Sequence, residues 1–286
     1  MSEVAYIDKN IRQTSDGITV RRMNFDFDDT LREFWCDDNP VLTAFLTALS
    51  VSFPAGERFF IDSVRHYEAQ LKQSKNTSPA LLADIRAFIG QEAHHTVEHQ
   101  ALNGFMERKG YPIRKMESFI AERINMMQKS SAPEVNLART VALEHFTAIM
   151  AAGFLSHPQL MDKMDPEMAA LWGWHAIEEI EHRAVAFDVY QEVVGDDALR
   201  RRTMRTITYF FILMNTIRTL RLLKVSGNRF NLKAWGKAAN TLWGYPGVLR
   251  KIVPQYFSYY RKGFHPSQHD VSEIVAAAKK KYLKDA

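Results

Sequence analysis

An all-α protein is predicted by three features of the sequence: a four-helix bundle with additional C-terminal helices. First, apolar residues recur at helical spacing through four long stretches, most opening on a cap residue followed by proline. Second, the chain carries Glu57, then Glu92 and His95, and repeats the set as Glu144, then Glu179 and His182. Each member returns 87 positions later. Third, Glu57 to Glu92 and Glu144 to Glu179 are both separations of 35. Two antiparallel hairpins with these spacings bring the four carboxylates to one height, because each pair straddles its turn almost evenly. Glu57 lies 19 residues before a turn centred near residue 76 and Glu92 lies 16 after it. At 1.5 Å per residue both stand roughly 25 Å from the turn.

The elements follow in order. Residues 1–37 are of mixed composition and are expected to form an N-terminal arm over the bundle. The bundle proper is assigned to 38–197. Its first helix starts at Pro40 behind Asp38 or Asn39 as cap and runs to about Ser74, with a kink at Pro54 and Gly56 just before Glu57. Ser78-Pro79 opens the second helix, which stops near Gly110. Residues 111–130 are a short helix or crossover. Ser131-Ala132-Pro133 starts the third helix, which His157-Pro158 ends. Asp165-Pro166 starts the fourth, and Gly195 suits its C-terminal cap. Residues 198–286 form a basic, aromatic helical extension packed on the bundle, closing with a Lys-rich terminal helix.

Composition narrows the function classes. The chain has 286 residues, 46% of them hydrophobic, ample for a large core. A single cysteine, Cys36, excludes an internal disulfide framework and a Cys-rich metal site, and suits a reducing cytoplasm. The start, MSEVAYIDKNIRQ, has no apolar signal-peptide run, and no stretch has about 18 consecutive apolar residues. The net charge of +4 divides unevenly. Residues 1–197 carry 19 Lys and Arg against 30 Asp and Glu, whereas 198–269 carry 14 Lys and Arg and no acid.

The candidate ligands follow from helix geometry. Residues three apart share a helix face, so Glu92 with His95, and Glu179 with His182, can point at one ion. With Glu57 and Glu144 they make the set that a ferritin-like di-metal carboxylate bundle requires: one Glu from each of two helices and Glu-x-x-His from each of the other two. Four carboxylates balance two divalent cations; without them they would repel one another in a dry core. Oxygen and nitrogen donors of this kind suit Fe, with Mn or Zn as alternatives. His175 shares the face of Glu179 and His182 and could add a third imidazole or support one. His99 and Glu178 are further candidates, as ligands or as partners of ligands. Asp84, Arg65, Arg183 and Asp188 could orient the imidazoles, and His94 and His145 are read as structural.

The motifs GERFF, FIGQEAHHTVEHQALN, ALEHFTA and WGWHAIEEIEHRAVAFDVY resemble the bacterial family named as predicted metal-dependent hydrolases, over most of the chain. The ligand pattern is also similar to the ferritin-like di-iron superfamily. Within it, His175, Glu179 and His182 look like the motif of the di-iron arylamine N-oxygenases, which implies oxygen chemistry but no substrate.

Three functions are open on these grounds. The first is a di-iron oxidoreductase that activates O2, with an electron donor, to oxidise a small or lipid-like molecule. The second is a hydrolase using water activated between two metals. The third is non-enzymatic metal binding or storage. Residues 198–262 either close the bundle as a cationic face or touch anionic membrane peripherally. No nucleic-acid recognition motif is present. A cytoplasmic protein, in contact with membrane if that face is used, and a homodimer are the remaining expectations.

Overall fold

Residues 17–245 and 247–283 are described by the computed structural model of the chain. Their regular elements are helices, and the one β-type pairing among them is an isolated bridge between Cys36 and Met164. The helices are α1 (Pro40–Ser50), α2 (Phe53–Arg65), α3 (Glu68–Gln73), α4 (Pro79–Arg108), α5 (Ile113–Lys129), α6 (Pro133–Leu155), α7 (Pro158–Met161), α8 (Pro166–His182), α9 (Val185–Val193), α10 (Asp197–Val225), α11 (Leu232–Trp243), α12 (Val248–Ser258) and α13 (Ser272–Tyr282). The starts obey local capping rules. Asn39 accepts from the amides of Val41 and Leu42, and Ser78 accepts from Leu81. Gly195 ends α9 in the left-handed region at φ 64°.

Two predicted helices are subdivided. The stretch from Pro40 to Ser74 becomes α1, α2 and α3. Val51 and Ser52 keep right-handed backbone angles, but the Ser52 amide bonds Leu49, three residues back rather than four, at 2.8 Å. Pro54 brings no amide, and its ring would strike the carbonyl four residues back, so the ladder is interrupted. The fourth helix, expected to run from 166 to about 194, breaks at Arg183 and Ala184 into α8 and α9. There the Arg183 guanidinium donates to the carbonyl of Ile180 at 2.7 Å, a group that a continuous helix would bond through residue 184.

α2 packs on α4, and α6 on α8; α2 also meets α6, and α4 meets α8 and α9. These helices enclose the candidate ligands. An outer layer covers one side: α10 lies on α1 and α6, α12 on α6, and α11 on α1 and α12. Its anchor is Arg200, fully buried, bonded to Asp197 and to the Tyr259 carbonyl and stacked 4.5 Å from the Tyr259 ring centre. Gly153 permits the approach of α12 to α6, since a β-carbon there would stand 2.9 Å from Ile252.

Residues 17–37 cross the helices without forming one, ending in a series of turns. Arg21 reaches Glu178 and Glu181, the Phe25 amide bonds Glu98, and Arg32 bonds Asp165. Residues 1–16, also assigned to the arm, lie outside the described residues.

Candidate metal centre

Each hairpin contributes its carboxylates from within two helices: Glu92 and Glu144 from the middle of α4 and α6, Glu57 from the first half of α2, and Glu179 from the last turn of α8. Glu57 projects from α2, Glu92 and His95 from α4, Glu144 from α6, and His175, Glu179 and His182 from α8. All seven are buried. Their donor atoms converge in three overlapping groups: Glu57 with His95 and His175, Glu92 with His95 and Glu179, and Glu92 with Glu144 and His182. His182 Nε2 lies 3.2 Å from Glu92, 3.3 Å from Glu144 and 3.7 Å from Glu179. His95 Nδ1 lies 3.5 Å from Glu179 and 3.8 Å from Glu92, and His175 Nε2 lies 3.3 Å from Glu179. Glu92 and Glu179 therefore face both His95 and His182. The pairing expected within each helix is present, and contacts of similar or shorter length across the bundle are added to it.

The imidazoles are oriented from behind. His95 Nε2 donates to Glu178 at 3.1 Å, and Glu178 accepts in turn from Arg21. His182 Nδ1 donates to Gln91 Oε1 at 2.9 Å; the Gln91 amide nitrogen donates to Glu181 and to the Thr19 carbonyl, so its oxygen must face the ring. A chain of bonds settles His175. The Ser50 hydroxyl donates to Asn103 Oδ1, accepts from His99 Nδ1, and leaves His99 Nε2 to accept from His175 Nδ1 at 3.0 Å. In all three rings the outer nitrogen is engaged as a donor, so the nitrogen facing the carboxylates is the one a metal would take, in exchange for a proton on His95 and His182. His99 thus backs His175, and Glu178 backs His95. Neither stands among the converging groups.

Of the orienting residues expected, Asp188 bonds His265 and Arg183 bonds Ile180 and Pro266. Arg65, exposed, closes α2. Gln91, Thr96, Ser50 and Arg21 were missed. The signal for Gln91 was present, one residue ahead of Glu92 where Glu178 precedes Glu179; Arg21 gave none. His145 bonds the Gln255 carbonyl and packs on Tyr259 and Phe264, and burial lowers it to about 3. His94 is half-buried on α4.

Burial dominates the electrostatics. It pushes Glu57 up to about 8 against the opposing pull of His95 and the Thr96 hydroxyl. Burial raises Glu92, helped by Glu144, and raises Glu144 too. Glu179 is held low in spite of burial, since His175, His182 and His95 surround it. Burial opposes charge on His95, yet Glu178, Glu179 and Glu92 lift it to about 10; against the same opposition Glu144 and Glu179 raise His182 well above the usual imidazole range. Burial and the neighbouring His95 drop His175 to about 3. The cluster on its own must therefore retain protons on carboxyls that would otherwise be ionised.

Glu57 Oε1, both oxygens of Glu92 and of Glu144, Glu179 Oε2, His95 Nδ1 and His182 Nε2 have no hydrogen-bond partner among the described residues. Orphaned polar atoms are rare in protein interiors, and here they converge. Four carboxylates with three imidazoles are the donor set for two divalent cations. Around them lie Phe53 stacked on His175 at 4.9 Å, Phe88 edge-on to His182 at 5.0 Å, and Trp174 edge-on to His95 at 4.9 Å. A cavity of about 30 Å³ reaches His175 between Leu49, Phe53, Met150, Phe154 and Trp172, with Thr147 also on its wall.

No curated protein and no solved structure gives a significant match to the chain. A family model does, over residues 19–270, a span that holds the arm from Thr19 onwards, all seven converging residues and the outer layer. The chain belongs to the family described as predicted metal-dependent hydrolase.

Proposed function

We propose that this protein is a di-metal carboxylate enzyme of ferritin-like architecture that holds two iron ions and uses O2 to oxidise an apolar organic molecule. The observation that carries this reading is a fully buried Glu4His3 cluster whose adjoining cavity is almost wholly apolar. Glu57, His95 and His175 would hold one ion, Glu144 and His182 the other, with Glu92 and Glu179 shared. When bound, the pair supplies electrons for O2 reduction. The residues do the rest. Glu178 and Gln91 keep Nδ1 of His95 and Nε2 of His182 aimed inward. Phe53, Phe88 and Trp174 exclude bulk water, which protects an oxidising site from side reactions. Leu49, Met150 and Phe154 favour an apolar substrate by burial. An external electron donor is required as partner.

The family description favours a second reading, hydrolysis by water activated between two metals. The dry cavity counts against it, since a phosphate or charged ester would meet few polar groups there.

One titration separates them. Ferrous iron is added without O2, and the loaded protein is then exposed to O2 while absorbance and O2 concentration are followed. Two ions per chain and stoichiometric O2 consumption are expected. Tight binding of two ions with no reaction towards O2, together with ester or phosphoester cleavage by the Zn or Mn form, would give the site to hydrolysis. Uptake of many more than two irons per chain would make it a store.

A further inference from the structure

Charge and apolar exposure in the outer layer serve no purpose at the metal centre. Residues 198–269 carry 14 Lys and Arg and no Asp or Glu, and they build α10, α11 and α12. α10 turns Met204, Asn215 and Leu222 inward and leaves Tyr209, Ile212 and Ile217 at 63, 59 and 49% exposure. Exposed Arg202 and Arg205 precede this stripe, and exposed Arg221 and Lys224 follow it. Beyond the helix, Phe230 and Leu232 stand 83 and 82% exposed next to Arg229 and Lys233. Tyr245, Trp243 and Phe257 continue the same alternation. Scattered apolar residues on a surface need no explanation, but a run of aromatic and branched side chains framed by cations does.

We propose that this layer is a docking surface for anionic lipid. α10, about 44 Å long at 1.5 Å per residue, would lie in the plane of the interface. Its Tyr and Ile side chains would enter the headgroup boundary while Arg and Lys meet lipid phosphates. Among the described residues no helix is long and apolar enough to cross a membrane, so the contact is peripheral. Charge selects this occupant over the alternatives. A second copy meeting the same face would set cations against cations, since a two-fold interface is self-complementary. Nucleic acid would satisfy the charge but not Ile212, Ile217 and Leu232, which offer no stacking platform. α1 and α6, which carry α10 on their outer side, also line the apolar cavity. Docking therefore brings the cavity walls near the bilayer. That consequence for the substrate rests on the function proposed above; the docking does not.

The test is sedimentation of the metal-loaded full chain with phosphatidylcholine vesicles, with and without phosphatidylglycerol, at moderate salt. Two variants on exposed positions accompany it: Arg221→Gln/Lys224→Gln/Arg229→Gln and Tyr209→Ser/Ile212→Ser/Ile217→Ser. Circular dichroism and metal content report whether each still folds. Retention only on the anionic vesicles is expected, weakened on the order of a hundredfold in the charge variant and roughly tenfold or more in the apolar one. Full recovery of the wild type in the supernatant overturns the proposal, as does unchanged binding by two folded variants. So do a dimer in solution that the apolar variant dissolves, without vesicle binding, and retention on duplex nucleic acid without retention on lipid.

Discussion

His95 and His182 occupy the same position in two hairpins related by 87 residues, yet they stand in different surroundings. Each is held from the opposite hairpin by the residue just before a ligand Glu: His95 by Glu178 and His182 by Gln91, and 91 + 87 = 178. One partner is a carboxylate and the other an amide. The repeat diverges again at His175, whose counterpart, 175 − 87 = 88, is Phe88. His175 brings a third imidazole to the His95 side, whereas Phe88 lays a ring edge on His182. Repetition of the candidate ligands builds two similar half-sites; change in the shell around them would make two bound ions unequal. A carboxylate behind an imidazole makes it a better donor, so the His95 half should bind the more tightly.

Breaking both halves at once should have the largest effect. Glu92→Gln removes a carboxylate that faces both His95 and His182, and both ions should weaken on the order of a thousandfold, read as metal content after dialysis. Retention of one tight ion would show that Glu92 is not shared.

His175→Phe makes the two halves alike at that position. Metal content should fall from two ions per chain towards one, with the remaining ion still dependent on His182. Unchanged stoichiometry would return His175 to the role of a neighbour.

Exchanging the backing partners is a subtler change. Glu178→Gln should weaken the tighter of two binding steps by about 10- to 100-fold, and Gln91→Glu should strengthen the weaker step by a similar or smaller factor. Calorimetric titration resolves the steps. Equal effects of Glu178→Gln on both would dissolve the asymmetry.

The smallest effect is the pH dependence of metal-induced stabilisation. Glu57 is raised to about 8 in the folded, metal-free protein, so its contribution to stability is present below its unfolded value near 4.5 and is lost as pH rises through 8. His95, raised to about 10, acts in the same direction at higher pH. Bound cations replace those protons. The gap in Tm between loaded and metal-free protein should therefore widen from about pH 6 to pH 8, by several degrees for a chain of this size. A gap that narrows over this window would mean that the carboxyls do not hold protons in the metal-free state.

Local chemistry made much of this legible in advance. Asn39, Ser78 and the prolines after them announce helix starts because capping needs only neighbouring residues. The 35-residue spacings put four carboxylates at one height because helical rise is constant. The kink before Glu57 was readable from Pro54. The break after His182 was not, since it comes with the Arg183 guanidinium bonding the Ile180 carbonyl and Pro266.

By itself the sequence determined an all-α chain, the elements that carry Glu57, Glu92, His95, Glu144, His175, Glu179 and His182, and the division of charge between body and extension. Periodicity, capping and composition act over a few residues or sum along the chain, and they survive without coordinates. Tertiary structure alone decided that His99 backs His175, that Gln91 and Glu178 cross between the hairpins, and that Arg21 reaches Glu178 over 157 positions. Those contacts depend on how each helix is rotated about its axis and where the arm crosses it, which packing sets and no spacing along the chain records.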